Sequence, residues 1–287
     1  MISTLFILLV FLFHHNTCIV KSTTRELSYI ILTGAFLCYF SSAFFVGKPH
    51  LLTCTGTRTI PGVALSMIFG ALSTKTNRIA RILAGTKKII TKKPKFVSVT
   101  AQVAITCSLV LGEFIASLVL LYMGPPTGEV IYPSRKSAKL ICGTSEEGGW
   151  KHDTVLIASL APNMLLIIMC TFYAIKTRNL PENFNEAKFI GFCMYTTCII
   201  WVGFLAVYFT SDLKAITACV SIDLSATVAL VLLFVPRVYI MLFHPEKNVR
   251  SAFTTSKEVR CHIGGGNMSR TSSKIDPRYF KIIFSCK

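Results

Sequence analysis

Long apolar blocks alternate with short polar or basic gaps over most of the chain. The blocks run over Leu27–Val46, Ile60–Leu72, Val97–Met123, Val155–Ile175, Phe189–Phe209 and Ala215–Phe243. A helix needs roughly 20 mostly apolar residues to cross the hydrocarbon core of a bilayer. Five blocks meet that length as they stand. Ile60–Leu72 reaches it only when the less apolar Thr55–Thr59 and Thr74–Ile79 are added at its ends. At the start, Ile2–Phe13 is a further apolar run of about 12 residues, roughly 18 Å as helix and too short to span. It reads either as the core of a signal peptide or as the inner end of a first membrane helix. No Lys or Arg precedes it, and His14-His15-Asn16-Thr17 offers no small-x-small cleavage site, which favours the helix end. The pattern predicts an all-α membrane protein, a seven-helix bundle whose first helix is truncated.

Composition agrees. The chain is 52% hydrophobic and only 15% charged, against roughly 25% charged residues in soluble domains, and its mean hydropathy is +0.59. The net charge of +17 is placed unevenly. Between Ala71 and Phe96, Lys75, Arg78, Arg81, Lys87, Lys88, Lys92, Lys93 and Lys95 carry eight positive charges and no acid. In a soluble protein such a run would suggest nucleic acid. Set between two membrane-length blocks it marks a cytoplasmic loop, and no nucleic-acid partner is expected. If the gap at His14–Thr24 is inside, the inside gaps hold Lys21, this block, Lys176, Arg178, Lys188 and a basic tail from Pro245. The outside gaps hold Lys48, Arg58, Arg135, Lys136, Lys139, Lys151 and Lys214, diluted by Glu129, Glu146, Glu147, Asp153 and Asp212. The positive-inside rule then predicts an outside N-terminus and a cytoplasmic C-terminus. The expected domains are residues 1–243, the membrane bundle, and 244–287, the cytoplasmic tail.

Of the eleven cysteines, Cys38, Cys107, Cys170, Cys193, Cys198 and Cys219 lie in apolar blocks, where a thiol acts as a small hydrophobe. Cys54 and Cys142 fall on the oxidising outer side. They are read either as a bridge pinning the longest outer loop over the bundle or as two free thiols. No cysteine spacing fits a zinc site. His14 and His15 beside Cys18 do not form a convincing ion cage, so no metal and no cofactor is expected.

Several stretches resemble the transmembrane part of the metabotropic glutamate receptors, family C of the G-protein-coupled receptors. They are VKSTTREL (20–27), LSTKTNRIARILAGTKKI (72–89), TKKPKF (91–96), CTFYAIKTRNLPENFNEAKFIGFCMYTTCIIW (170–201), SIDLSATVAL (221–230), FVPRVYI (234–240) and PEKNVRSAFTTS (245–256). ILAGTKK and RSAFTTS resemble the group I subfamily in particular. The resemblance aligns HNTCIVKSTTREL with the family's first inner loop, which makes Ile2–Phe13 the lower half of a first helix. It implies a plasma-membrane receptor, a Gq-type heterotrimeric G protein as partner, a homodimer, and small-molecule allosteric modulators. The family binds glutamate in a two-lobed extracellular domain joined through a cysteine-rich module, and this chain carries neither.

Single residues follow from the same resemblance, each beside a plainer reading. Lys75 and Glu186 match a pair that locks the third and sixth helices at the inner mouth, with hydroxyls of Ser22–Thr24 nearby; alternatively they are interfacial charges that snorkel. Arg78 and the loop Arg81–Lys95, including Lys87, Lys88, Lys92, Lys93 and Lys95, would face the G protein together with Thr177–Ala187, and would also hold anionic membrane lipid. Phe69, Asn163, Trp201, Phe204, Ser221 and Ser225 match an allosteric pocket, although aromatic side chains in a membrane helix are usually packing. Asn163 is polar within an apolar block and should face protein or water. Asp223 replaces a small neutral residue and is read as a cation or amine site, a protonated acid, or a group near water at the outer mouth. Glu113 reads as a subunit contact. Pro236 should break the seventh helix near its inner end, with Arg237 in place of the family's lysine.

Gly264-Gly265-Gly266 is a linker, Asn267-Met268-Ser269 is a glycosylation triplet on the wrong side of the membrane, and Ser251, Thr254 and Thr255 are candidate phosphorylation sites. No nucleophile–base constellation suggests an enzyme. A transporter or channel would need inverted repeats and paired broken helices, which are not evident. A non-signalling fragment that pairs with full-length subunits is the remaining alternative.

Overall fold

The structure, a computed structural model, describes residues 1–15, 17, 20, 24–48, 50–87, 98–134, 137–144, 152–176, 185–210 and 214–243. At 82–87, 127–134, 137–141, 143–144, 152–153, 156, 176 and 185–187 it describes the backbone only. Eight helices and one hairpin follow in order: α1 (Ile2–Phe13), α2 (Arg25–Val46), α3 (Leu51–Lys87), α4 (Val99–Met123), β1 (Pro126–Ser134), β2 (Ser137–Thr144), α5 (His152–Lys176), α6 (Asn185–Thr210), α7 (Lys214–Leu233) and α8 (Val235–Phe243).

Among the described residues, five spans are long and apolar enough to cross a membrane: Arg25–Val46, Val99–Met123, Ile157–Ile175, Lys188–Thr210 and Lys214–Phe243. Helix α3 is not among them, for a physical reason. It is the hub of the bundle, packing against α2, α4 and α5 and touching α6 and α7. Between Pro61 and Thr76 nearly every residue is buried, including Ser66, Thr74, Lys75 and Thr76. A helix sheathed by protein has no lipid to satisfy and can carry polar side chains. It is also longer than the sequence pattern suggests, 37 residues from Leu51 to Lys87. Arg58, expected in a polar gap, is inside this helix and 4% exposed, with Nη1 donating to the Gly124 carbonyl at 2.7 Å.

Close approach of α2 and α3 depends on Gly34. A Cβ there would meet the Ala64 carbonyl oxygen at 2.8 Å and the Ile68 and Met67 side chains at 3.0 Å. Small residues at such crossings let membrane helices pack backbone to backbone. The first helix is part of the same core. Phe11 is fully buried and meets the Phe234 ring edge-on at 5.4 Å between centroids.

In local structure the hairpin was not expected, whereas the break of the last apolar block follows the expectation from Pro236. Between α4 and α5, β1 and β2 pair antiparallel, with Gly128 opposite Cys142 and Thr127 opposite Gly143, so the bundle carries a hairpin. The seventh apolar block is two helices, separated at Phe234. Pro236 has no N–H to donate, and the turn is held by Arg237 N–H and Val238 N–H donating to the Phe234 carbonyl at 3.1 and 2.9 Å. The tail expected from residue 244 onward lies outside the described residues.

Candidate functional site

The end of the bundle where α2 begins carries a buried cation, contributed by α3. Lys75 is 5% exposed, and its Nζ donates to Ser28 Oγ at 3.2 Å. The hydroxyl that the structure supplies is thus Ser28, in the first turn of α2. Of the expected Ser22–Thr24 stretch, Ser22 and Thr23 lie outside the described residues. Glu186 is the second residue of α6 by its backbone, and its side chain lies outside the description. One turn of α3 around Lys75 is tied to its neighbours by hydroxyls. Thr74 Oγ1 lies 3.0 Å from Thr106 Oγ1 of α4, and Thr76 Oγ1 lies 3.6 Å from Cys170 Sγ of α5.

The basic stretch leaves the bundle along the continuing α3. Arg78 is half-buried, while Arg81 is exposed with its Nε donating to Asn77 Oδ1 at 3.0 Å. Lys87 ends the helix by its backbone. Lys88, Lys92, Lys93 and Lys95 lie outside the described residues, as does most of Thr177–Ala187.

All six residues expected in the pocket are buried: Phe69 and Asn163 at 0% exposure, Ser225 at 0%, Trp201 and Phe204 at 3%, and Ser221 at 6%. Phe69, Trp201 and Phe204 belong to one apolar core. Trp201 meets Phe204 edge-on at 5.1 Å, and Phe204 in turn stacks at 5.1 Å on Tyr208. The Trp201 indole N–H is buried with no acceptor among the described residues, an arrangement that costs free energy unless a ligand or water accepts from it. Ser225 donates to its own helix, to the Ser221 carbonyl at 2.8 Å.

At the other end, Cys54 of α3 and Cys142 of β2 form a disulfide, with Cα atoms 5.5 Å apart. It ties the hairpin to the hub helix.

The residues of this chain therefore stand in a bundle with a proline-broken last helix, a disulfide-pinned hairpin and a buried lysine bonded to the start of α2. A family described as the seven-transmembrane sweet-taste receptor of class 3 G-protein-coupled receptors matches it over residues 1–237. A protein named metabotropic glutamate receptor, from Drosophila melanogaster, is 42% identical to it over 261 residues, 90% of this chain. The chain belongs to the class 3 G-protein-coupled receptors. It spans 26% of the length of that Drosophila relative.

Membership makes the chain part of a membrane receptor rather than an enzyme, and sets the transporter reading aside. The transmembrane domain is similar to that of a metabotropic glutamate receptor, as the motifs suggested. Several receptor residues escape sequence reasoning. Ser28 was passed over in favour of the hydroxyls just before it. Tyr208, the largest of the fully buried side chains, was unread although it follows Trp201 and Phe204 at helical spacing. Asp223 is half-buried, and Ser42 Oγ of α2 donates to its Oδ2 at 2.7 Å. Beside it, Tyr39 and Thr227 hydroxyls lie 2.8 Å apart, continuing the polar seam between α2 and α7. Glu113 points into the bundle, 4% exposed, rather than outward to a second subunit. The two adjacent histidines diverge, with His14 Nδ1 against the Val10 carbonyl and His15 Nδ1 against the Tyr29 hydroxyl.

Proposed function

We propose that the chain is the signal-transmitting bundle of a metabotropic-glutamate-like receptor, passing agonist occupancy of an extracellular domain to a Gq-type G protein. The observation that carries the proposal is Lys75, a cation buried in α3 whose Nζ donates to Ser28 of α2. A buried charge is retained only when partners stabilise it, and such a partnership has two discrete states, closed and open. In the closed state Lys75 holds Ser28 and Glu186, joining α2, α3 and α6. Opening separates α3 from α6 and exposes a cleft on the cytoplasmic side. The basic residues Arg78, Arg81, Lys87, Lys88, Lys92, Lys93 and Lys95 then meet the G protein, and between signals hold anionic lipid. The receptor sits in the plasma membrane as a homodimer with its N-terminus outside and residues 244–287 in the cytoplasm.

Within the bundle, Phe69, Asn163, Trp201, Phe204, Ser221 and Ser225 bind allosteric modulators. The unpartnered Trp201 N–H and the apolar aromatic walls support a ligand that is mostly apolar with one hydrogen-bond acceptor.

The test is inositol phosphate accumulation in cells expressing the chain alone or fused behind the upstream portion of the Drosophila relative. Glu186→Ala raises ligand-independent output in the fusion at matched surface level. Unchanged output at normal surface expression would refute the lock. Output from the fusion but none from the chain alone in any variant would favour a fragment that acts only with other subunits.

A further inference from the structure

The buried face of α4 carries a carboxylate that the signalling proposal does not use. Helix α4 is apolar outward and polar inward: Leu111, Phe114, Ile115, Leu118 and Val119 are exposed, whereas Gln102, Thr106, Glu113 and Ser117 are buried. Glu113 fits a notch in α3. A Cβ on Gly62 would stand 2.7 Å from Glu113 Oε1, so only glycine leaves room for the acid. From α5, Asn163 Nδ2 donates to the Gly62 carbonyl at 3.1 Å and to Glu113 Oε1 at 3.2 Å. A backbone carbonyl can only accept, so the orientation of this amide is fixed by chemistry. Its N–H groups are spent on Gly62 and Glu113, and its Oδ1 is turned away from Gly62.

The junction is left with more acceptors than donors. Among the described residues, Glu113 Oε2, Asn163 Oδ1 and the Ser117 hydroxyl, one turn along α4, are buried without a hydrogen-bond partner. Among the described residues, no Lys or Arg pairs with Glu113. On α3, Arg58 lies one turn from Gly62 and directs Nη1 to Gly124 instead. Helix α5 has no charged residue between Thr154 and Ile175. Helix α2, also against α4, is charged only at Arg25 and Glu26, which pair with each other at its start. A carboxylate so enclosed is strongly disfavoured unless a positive charge joins it. Oxygen ligands suit a hard cation, and a single negative charge suits a monovalent one.

We propose that Glu113, Asn163 and Ser117 form a buried site for one small positive charge, a proton or a sodium ion, whose occupancy holds α3, α4 and α5 together. The site stands apart from the signalling proposal and survives or falls without it. The purified chain in lipid nanodiscs is unfolded thermally at constant ionic strength. Sodium chloride first replaces N-methylglucamine chloride at mildly alkaline pH, and the medium is then acidified without sodium. Occupancy raises the midpoint by about 2–4 °C, and Glu113→Gln abolishes that response. A sodium response absent from the variant assigns a metal ion, and an acid response alone absent from the variant assigns a proton. Equal responses of the two proteins to both treatments would overturn the proposal. Should Glu113→Gln yield no folded protein, Gly62→Ala displaces the carboxylate while keeping its charge. That variant must show a smaller response, and an undiminished one also overturns the proposal.

Discussion

Two glycine-to-alanine changes should move stability in opposite directions, because the structure leaves room at one and not at the other. At Gly34 the added methyl would stand 2.8 Å from the Ala64 carbonyl oxygen and 3.0 Å from both the Ile68 and Met67 side chains. Normal contact for such atoms is about 3.5 Å or more, so α2 and α3 must separate by several tenths of an ångström. The separation propagates along the seam that buries Ile31, Ala35 and Cys38 on α2 and Leu65 and Leu72 on α3. Overpacking of this kind costs about 1–3 kcal/mol. At Gly203 a Cβ meets nothing within 4 Å. Alanine there keeps its helix-forming advantage of roughly 0.8–1 kcal/mol over glycine. With roughly 2–4 °C per kcal/mol for a chain of this size, Gly34→Ala lowers the midpoint by about 2–12 °C while Gly203→Ala raises it by about 2–4 °C. Thermal unfolding of both variants in the same nanodiscs is the assay. Equal tolerance of the two changes would refute the close α2–α3 crossing.

Two further predictions concern the far end of the bundle. Arg58→Ala removes the guanidinium that caps the Gly124 carbonyl where α4 ends. A buried acceptor that loses its partner costs about 1–3 kcal/mol, read as a lower unfolding midpoint without change in the helical circular dichroism signal. Cys142→Ser opens the link between hairpin and hub, which closes a sequence separation of 88 residues. Chain entropy sets an upper bound of about 4–5 kcal/mol for such a loop. The variant should match the reduced wild type in stability, and a larger loss in the variant than on reduction would contradict this.

The apolar blocks were legible because most of them face lipid on one side, and lipid demands apolar residues in long runs. Helix α3 obeys a different rule. It is enclosed by its neighbours, so its polar residues reach far beyond Ile60–Leu72, and Arg58 passes for a loop residue although it is buried in the helix. The hairpin was not legible, since nothing in the length of the outer gap distinguishes paired strands from loop. The inward carboxylate had a signal that was not used. Gln102, Thr106, Glu113 and Ser117 fall on one face of α4, opposite the lipid-facing Leu111, Phe114, Ile115 and Leu118. Read as an inverted amphipathic helix, that spacing turns Glu113 inward. For the lock, Lys75 is legible only through the family motif, because its position in a helix gives no sign of a partner. Ser28 could not be separated from Ser22, Thr23 and Thr24 without the trajectory of α2.

The central claim is that Lys75 and Glu186 hold the bundle closed as one unit. A double-mutant cycle on basal inositol phosphate accumulation, at matched surface expression, tests it most directly. Lys75→Ala, Glu186→Ala and the double variant should each raise basal output by about fivefold, the ratio expected for a coupling near 1 kcal/mol, with the double no higher than either single. Singles that leave basal output unchanged, or effects that multiply in the double variant, would contradict the lock.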